Sequence, residues 1–290
     1  MSKGTTMTIA VTGATGHLGR LVVDALIARG AAPGDIVATV RDTAKAAGLA
    51  ALGVQVREAD YDRPETLAAA FAGVDRLLLI SGNAIGQRVS QHTAVVEAAK
   101  AAGVGFLAYT SILRADSSPL GLAPEHLATE QVVAASGIPF ALLRNGWYVE
   151  NYAASFGPAV EHGALLGSAG EGRIAAATRA DFAEAAAVVL LRGEPGVHEL
   201  AGDQPFTMAE LAAEVARQTG APVAYRDLPP DGYRAALVTA GMPGQFADLF
   251  ADTDVKIRDG HLDDTTGTLS RLIGRPTTPL AEAVATALKG

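Results

Sequence analysis

The stretch Thr12-Gly13-Ala14-Thr15-Gly16-His17-Leu18-Gly19-Arg20 decides the fold. It follows a short apolar run, residues 8–11 (TIAV), and precedes residues 20–29, where Leu21, Ala25 and Ala28 share one helical face. Glycine at every third position between a strand and a helix gives a backbone that turns sharply and lets a ligand approach closely. The N-terminus of the following helix would offer unpaired N–H groups and a partial positive charge to a pyrophosphate. Glycine-rich loops also connect tightly packed elements with no ligand at all, so the reading depends on what surrounds the loop. His17 fills a variable position of the motif and is expected to face solvent.

The surroundings repeat the same strand–helix unit. Residues 36–40, 54–58, 76–80, 105–109 and 139–143 read as strands, with helices at 44–52, 64–71, 91–102 and 124–135 between them. Pro64 sits in a first helical turn, where its missing N–H costs nothing. Runs that are apolar throughout, with no alternation, imply strands buried on both faces. Repeated βα units imply a doubly wound parallel sheet covered by helices, an α/β fold. After Asn151 the rhythm loosens: residues 167–172 (GSAGEG) are turn-rich, 179–192 form an Ala- and Val-rich helix, and 197–200 suit a further strand. Thr207 and Glu210 make a capping-box signal at the start of another helix. Pro229-Pro230 breaks the chain, and 233–249 has helical periodicity interrupted at 241–244. A first domain over residues 1–152 is therefore expected, followed by 153–290 as mainly a smaller α/β domain with segments returning to the first sheet.

The end of the second strand distinguishes NAD from NADP. An acidic side chain there accepts bonds from a ribose 2′-OH, whereas a basic one suits a 2′-phosphate. Val40 is followed by Arg41, 22 residues beyond Gly19, with Lys45 one helical turn further on. Arg41 offers a planar fork for phosphate and Lys45 a second charge, which favours NADP. Asp42 leaves a competing arrangement open, since it could hold ribose hydroxyls if Arg41 points away.

Composition excludes several classes. The 290 residues carry 31 Asp plus Glu against 23 Lys plus Arg, a net charge of −8, with no clustered basic run, so nucleic acid is not expected as a partner. Zero Cys removes disulfides, thiolate nucleophiles, Cys-ligated zinc and iron–sulfur clusters. The longest stretch free of Asp, Glu, Lys and Arg runs from Gly4 to Gly19, only 16 residues rich in Gly and Thr, too short and polar to span a bilayer. The opening MSKGTTM has no apolar h-region, which predicts no signal peptide and a cytoplasmic protein. The histidines are scattered without ligand spacing, so no metal site is expected. No G-x-S-x-G elbow occurs.

Several segments match a known pattern: TGATGHLG, VRDTAKA, ADYDRPETLAAAFAGVDRLLLISG, AYTSILRADSSPLGLAPEHLATE, LLRNGWYVENY and LIGRPTTPLAEAV. Together they resemble the NmrA-like atypical short-chain dehydrogenase/reductases, and within them the bacterial type-2 NADPH-dependent quinone oxidoreductases. The resemblance implies a Rossmann-type domain, a smaller C-terminal substrate domain, a pocket in the cleft between them, and NADPH as cofactor. By position, Gly13, Ala14, Thr15, Gly16, His17 and Leu18 would hold the pyrophosphate and Arg41 the 2′-phosphate. Ser81, Gly82 and Asn83 would line the nicotinamide side, and Asn145, Gly146, Trp147 and Tyr148 would close the pocket.

One departure shapes the expected chemistry. Short-chain dehydrogenases use Tyr-x-x-x-Lys, in which Lys lowers the Tyr pKa for proton transfer. No Tyr here is followed four residues later by Lys, and the corresponding helix reads His126-Leu127-Ala128-Thr129-Glu130. Ser111 matches the family Ser but lacks these partners, so no catalytic residue is assigned. A quinone needs no such machinery, because it accepts hydride readily and gives a stabilised phenolate that water protonates. The enzyme's task is then to hold nicotinamide C4 against the quinone ring in a water-poor slot. Trp147, Tyr148 and Tyr152 could wall that slot or simply pack the domain junction. His126 could donate a proton or hydrogen bond to substrate, or sit on the solvent face of its helix. The rival from another class is an NmrA-type regulator that binds NADP(H) as a redox sensor without turnover. The Ala-rich faces leave a homo-oligomer open.

Overall fold

The structure, a computed structural model, describes residues 7–289. Residues 1–6, read above for a leader, lie outside the described residues. In chain order, β1 (Ile9–Thr12), α1 (His17–Ala28), β2 (Ile36–Val40), α2 (Ala47–Ala50), β3 (Gln55–Glu58), α3 (Pro64–Ala70) and β4 (Arg76–Leu79) come first. They are followed by α4 (Arg88–Ala101), β5 (Phe106–Ile112), α5 (Ala123–Ala135) and β6 (Phe140–Asn145). Next come α6 (Ala153–His162), β7 (Ala164–Gly167), β8 (Arg173–Ile174), α7 (Arg179–Arg192) and β9 (Gly196–Leu200). The remainder is β10 (Phe206–Thr207), α8 (Met208–Thr219), β11 (Ala224–Asp227), α9 (Pro230–Thr239), α10 (Gly244–Arg258), α11 (Thr268–Ile273) and α12 (Leu280–Ala287).

The chain divides into two compact units. The first holds the described residues up to Ala115, then Pro124–Asn145 and Arg179–Glu199. Its core is a seven-stranded sheet in the order β3-β2-β1-β4-β5-β6-β9, with β1 through β6 paired in parallel. This is the α/β, Rossmann-type architecture. The strand order reverses direction between β1 and β4, which is where such sheets bind ligands beyond the carboxyl ends of their strands. The apolar runs behave as their composition demands: β1, β2 and β5 are buried along their whole length. Strand β3 differs, being exposed or half-buried throughout, because it is the edge strand and covers only one neighbour. The Ala-rich helix α7 packs on α1; Ala183, Ala185, Ala186 and Ala187 of α7 and Val22, Val23 and Leu26 of α1 are all buried. Small side chains allow that close approach, and each fully buried Val or Leu contributes roughly 2 kcal/mol.

Local chemistry moves one boundary. The helix expected at 44–52 is a 3-10 turn, Thr43–Ala46, followed by the single-turn α2, because Asp42 caps the start by accepting the Ala44 N–H at 3.0 Å. The chain leaves the first unit after Ala115, returns at Pro124 and leaves it again after Asn145.

The second unit comprises Asp116–Ala123, Gly146–Thr178 and the chain from Leu200 onward. It contains two small sheets, β7 parallel to β11 and β8 antiparallel to β10, with helices α6 and α8 through α12. The capping box read from sequence opens α8: Glu210 N–H donates to Thr207 Oγ1 at 3.1 Å, and Thr207 N–H to Glu210 Oε2 at 2.7 Å. The periodic stretch 233–249 divides into α9 and α10 around Gly241, whose φ of 93° ends the first helix. Among the described residues no helix is long and apolar enough to cross a membrane.

Candidate active site

In the first unit, the glycine loop leaves the carboxyl end of β1 and runs directly into α1. Gly13 has φ 57°, and a Cβ placed there would meet open space. Gly19 has a different reason to be glycine, since its Cβ would lie 2.3 Å from the Gly13 carbonyl oxygen. Gly16 is the N-cap of α1, and no side chain caps the helix's first N–H groups. His17 is exposed, as expected, along with Thr15, whereas Ala14 and Leu18 turn their side chains into the core. Any contact from Ala14 or Leu18 to a ligand is therefore through backbone.

At the end of β2, Arg41 is exposed and forms no hydrogen bond or ion pair among the described residues. The competing acceptor is already engaged. Asp42 accepts the Ala44 N–H and stands 4.0 Å from the Lys45 ammonium. Arg41 is thus an unspent guanidinium beside the glycine loop's neighbouring strand, and Lys45 is partly neutralised.

Three side-chain acceptors from neighbouring elements hold the exit of β4. Ile80 N–H donates to Thr12 Oγ1 from β1 and Ser81 N–H to Thr110 Oγ1 from β5, both at 2.9 Å, while Gly82 N–H donates to His92 Nε2 on α4 at 3.0 Å. Because Nε2 accepts, the His92 ring proton lies on Nδ1, 3.0 Å from Thr129 Oγ1, whose own proton goes to the Glu125 carbonyl. Burial, then the nearby Arg88 charge, pushes the His92 pKa down to about 3, so the ring stays neutral. Arg88 completes the clamp, donating from Nε to the Gly82 carbonyl and pairing with Glu125 at 2.9 Å. Glu125 also accepts the Gly86 N–H at 2.7 Å. Ser81 and Gly82 are half-buried and Asn83 is exposed.

The positions that would carry Tyr-x-x-x-Lys hold a different network. Glu130, 5% exposed, receives a bidentate pair from Arg144, Nε to Oε1 at 2.9 Å and a second nitrogen to Oε2 at 2.7 Å. The Ser111 hydroxyl donates to the same carboxylate at 2.5 Å. Arg144 also reaches Glu199 at 2.8 Å, and Glu199 in turn accepts the N–H of Arg114, whose φ is 52°. Ser111 is therefore committed to a structural carboxylate. His126 does not lie on the solvent face of α5: it is 7% exposed, with Nδ1 2.9 Å from the Tyr109 hydroxyl. A polar face of α5 turned inward supplies Tyr109 and Glu130's partners with hydrogen bonds, which outweighs the solvation His126 gives up. Burial, followed by the Arg88 charge and the neighbouring His92, lowers the His126 pKa to about 3, and burial raises that of Tyr109 to about 12. Tyr61, His92, Tyr109 and His126 form a line of ring contacts behind this edge, with centroid separations of 6.4, 5.5 and 6.0 Å. Sequence reading missed Tyr109, His92 and Arg144 because nothing local marks residues brought together from different βα units. The i, i+4 spacing of His126 and Glu130 was the available signal.

The chain passes into the second unit between Asn145, buried at the end of β6, and Gly146. Gly146 N–H donates to the Leu200 carbonyl at 2.7 Å, and a Cβ there would come within 3.0 Å of that oxygen, so the close approach requires glycine. Trp147 and Tyr148 are half-buried, and Tyr148 bridges to Ala177. Trp147 meets Phe250 of α10 edge-on at 6.0 Å. Tyr152 belongs to the interior, at 5% exposure. Burial and the Asp254 charge hold its phenol well above the ordinary value. Asp254 accepts the Ser168 N–H at 2.7 Å, and burial raises its carboxyl to about 6. Phe250, one turn before Asp254 on α10, also went unread in the sequence.

The NmrA-like family model matches residues 5–268. The chain belongs to the NmrA-like family. Across 278 residues it is 53% identical to quinone oxidoreductase 2 of Escherichia coli (strain K12), covering 95% of this chain and 97% of that one. The crystal structure of the E. coli NADPH-dependent quinone oxidoreductase complexed with NADPH superposes with a TM-score of 0.93 at 52% identity, over 97% of this chain and all of the other. The Citrobacter sp. triphenylmethane reductase complexed with NADP(H) gives 0.91 at 39% identity, over 97% and 100%. This NmrA-like chain thus matches these reductases over 95–97% of its length.

Proposed function

We propose that the protein is an NADPH-dependent oxidoreductase that transfers hydride directly to a quinone without flavin. The observation that carries this reading is the 53% identity to a quinone oxidoreductase over nearly the full length of both chains. It favours an enzyme over an NADP(H)-sensing regulator. The residues fit the cofactor. Open space above Gly13 and uncapped N–H groups at the start of α1 suit a pyrophosphate, and the unpartnered Arg41 suits a 2′-phosphate. NADPH, when bound, supplies the hydride.

The chain's own task is placement. Thr12, Thr110 and His92 fix the backbone of Ile80, Ser81 and Gly82, so the surface offered to the nicotinamide is rigid before the cofactor arrives. Within the first unit, Ser81, Gly82 and Asn83 line the nicotinamide side. The half-buried Trp147 ring presents a flat apolar face suited to an aromatic acceptor. The engagement of Ser111 by Glu130 supports a reaction that needs no Ser–Tyr–Lys proton transfer.

The test mixes purified protein with NADPH and a set of benzoquinones and naphthoquinones while nicotinamide absorbance is followed. Saturable NADPH oxidation is expected. No oxidation above the uncatalysed background with any of them would refute the proposal and return the redox-sensor reading.

A further inference from the structure

Beyond Gly82 the segment joining β4 to α4 runs past the acceptors that hold its start. Residues 83–87 form an arch with bonds of their own: Ile85 N–H donates to the Asn83 carbonyl and Gln87 N–H to the Ala84 carbonyl, both at 3.0 Å. Gly86 takes φ 84°, a backbone that favours glycine, and Ile85 stands 48% exposed. The far foot of the arch is fastened to the first unit through a carboxylate. Gly86 N–H donates to Glu125 Oε1 at 2.7 Å. Arg88, which donates from Nε to the Gly82 carbonyl at 2.9 Å, gives Nη1 to Glu125 Oε2 at 2.9 Å. Glu125 thus closes a ring that runs through Gly82, the arch, Gly86 and Arg88. It lies in the first turn of α5, where the partial positive charge of the helix end favours a carboxylate, and Arg88 is 4% exposed. An ion pair with a buried partner adds little net stability over an apolar pair of similar volume, so fixed geometry is the contribution to test.

The place of the arch gives that geometry a use. Ile80 N–H donates to Thr12 Oγ1, and Thr12 directly precedes Gly13, so the arch begins where the strand order reverses between β1 and β4. We propose that Glu125 and Arg88 are positioning residues for hydride transfer: together they hold the 83–86 arch in one conformation before the cofactor binds, so that the nicotinamide meets a formed wall. The inference rests on the quinone-reductase reading and on its placement of residues 81–83 at the nicotinamide side. Strands β2 and β4 flank β1 on opposite sides, so Arg41 and the arch serve opposite ends of the cofactor. Opening the ring leaves the phosphate end of the site intact. NADPH must then order the arch as it binds, and a nicotinamide held less closely spends less time at hydride-transfer distance.

Binding, exchange and turnover test the proposal. Amide hydrogen exchange of the free wild-type protein should show Gly86 protected; exchange at the rate of an open loop overturns the preformed arch whether or not the protein reduces quinones. Glu125→Gln keeps the volume but offers one acceptor oxygen where the carboxylate offers two, so it releases either Gly86 or Arg88. It should weaken NADPH about 3- to 10-fold, while adenosine 2′,5′-bisphosphate, which lacks the nicotinamide, changes by less than about twofold. In turnover its kcat should fall about 10- to 100-fold. Arg88→Met opens the ring from the other side and should give the same pattern. A pair that only stabilises the fold would lower Tm without separating the two ligands. Equal weakening of both ligands, or an undiminished kcat, in a folded variant therefore overturns the positioning role. If wild-type enzyme oxidises no NADPH with quinones, the functional reading fails instead, and the exchange and binding comparisons still decide the arch.

Discussion

Replacing Arg41 by alanine removes a guanidinium that makes no bond of its own in the free protein, so its effect on binding is not confounded by a broken ion pair. Hydrogen bonds to a charged group contribute about 1.5–3 kcal/mol each. Arg41 is exposed and will be partly screened, so we take the lower part of that range, about 1.5–2 kcal/mol, which corresponds to a roughly 10- to 30-fold weaker Kd for NADPH. NADH has no 2′-phosphate and should change by no more than about twofold. Calorimetric titration of wild type and Arg41→Ala with both nucleotides, at low and high salt, gives the four ratios needed. The NADPH effect should shrink as salt rises. Arg41→Lys should lose part of the preference, since an ammonium keeps the charge but not the planar fork. Equal weakening of NADPH and NADH would refute the reasoning, and would point to Lys45, released from Asp42, as the phosphate ligand.

Three further outcomes follow from groups described above. Glu130→Ala removes the bidentate partner of the buried Arg144 while its pair with Glu199 remains, and should cost up to about 3 kcal/mol in urea unfolding, the low end for a broken buried pair; adding Arg144→Met should recover part of that, and strict additivity would contradict direct coupling. His92 has a native pKa depressed to about 3, so its contribution to stability is complete above the unfolded value of 6.5 and is lost as pH falls from there. At pH 5 the loss is about 2 kcal/mol, and the stability gap between wild type and His92→Asn should narrow by that amount between pH 7 and pH 5. Asp254 runs the other way: its native pKa is raised to about 6, so stability is lost as pH rises from about 4 through 6, by at most about 3 kcal/mol, and Asp254→Asn should remove that slope. An unchanged slope in the variant would show that the carboxyl ionises at its ordinary pKa.

The fold was legible because its signals are local. A glycine loop between an apolar run and an amphipathic helix, repeated βα spacing, and strands with no polar face all report on neighbours within one unit, and they specify a buried parallel sheet. The edge strand β3 was misjudged in its burial because its composition, Gln55-Val56-Arg57-Glu58, reports position in the sheet only once the strand order is known. Arg41 was legible from its distance to the glycine loop. That Asp42 would be occupied as a cap was also written locally, in the Asp-Thr-Ala run, but its consequence for Arg41 was not. The network around Glu130 was out of reach, since Ser111, Glu130, Arg144 and Glu199 come from four different elements and no spacing relates them. The same holds for Gly82 and His92, whose bond depends on how α4 packs over the exit of β4.

The ion pair between Glu130 and Arg144 also bears on how this scaffold could change its trade. Writing His126→Tyr and Glu130→Lys would restore the alcohol dehydrogenase motif on paper. The new lysine would face the Arg144 guanidinium in a buried setting, with Glu199 shared between two cations and Ser111 turned from donor to a carboxylate into neighbour of an ammonium. Two like charges so placed repel and resist burial. A lineage or a designer moving from one chemistry to the other must therefore alter strand β6 together with helix α5, because the carboxylate on one is the counter-charge of the guanidinium on the other.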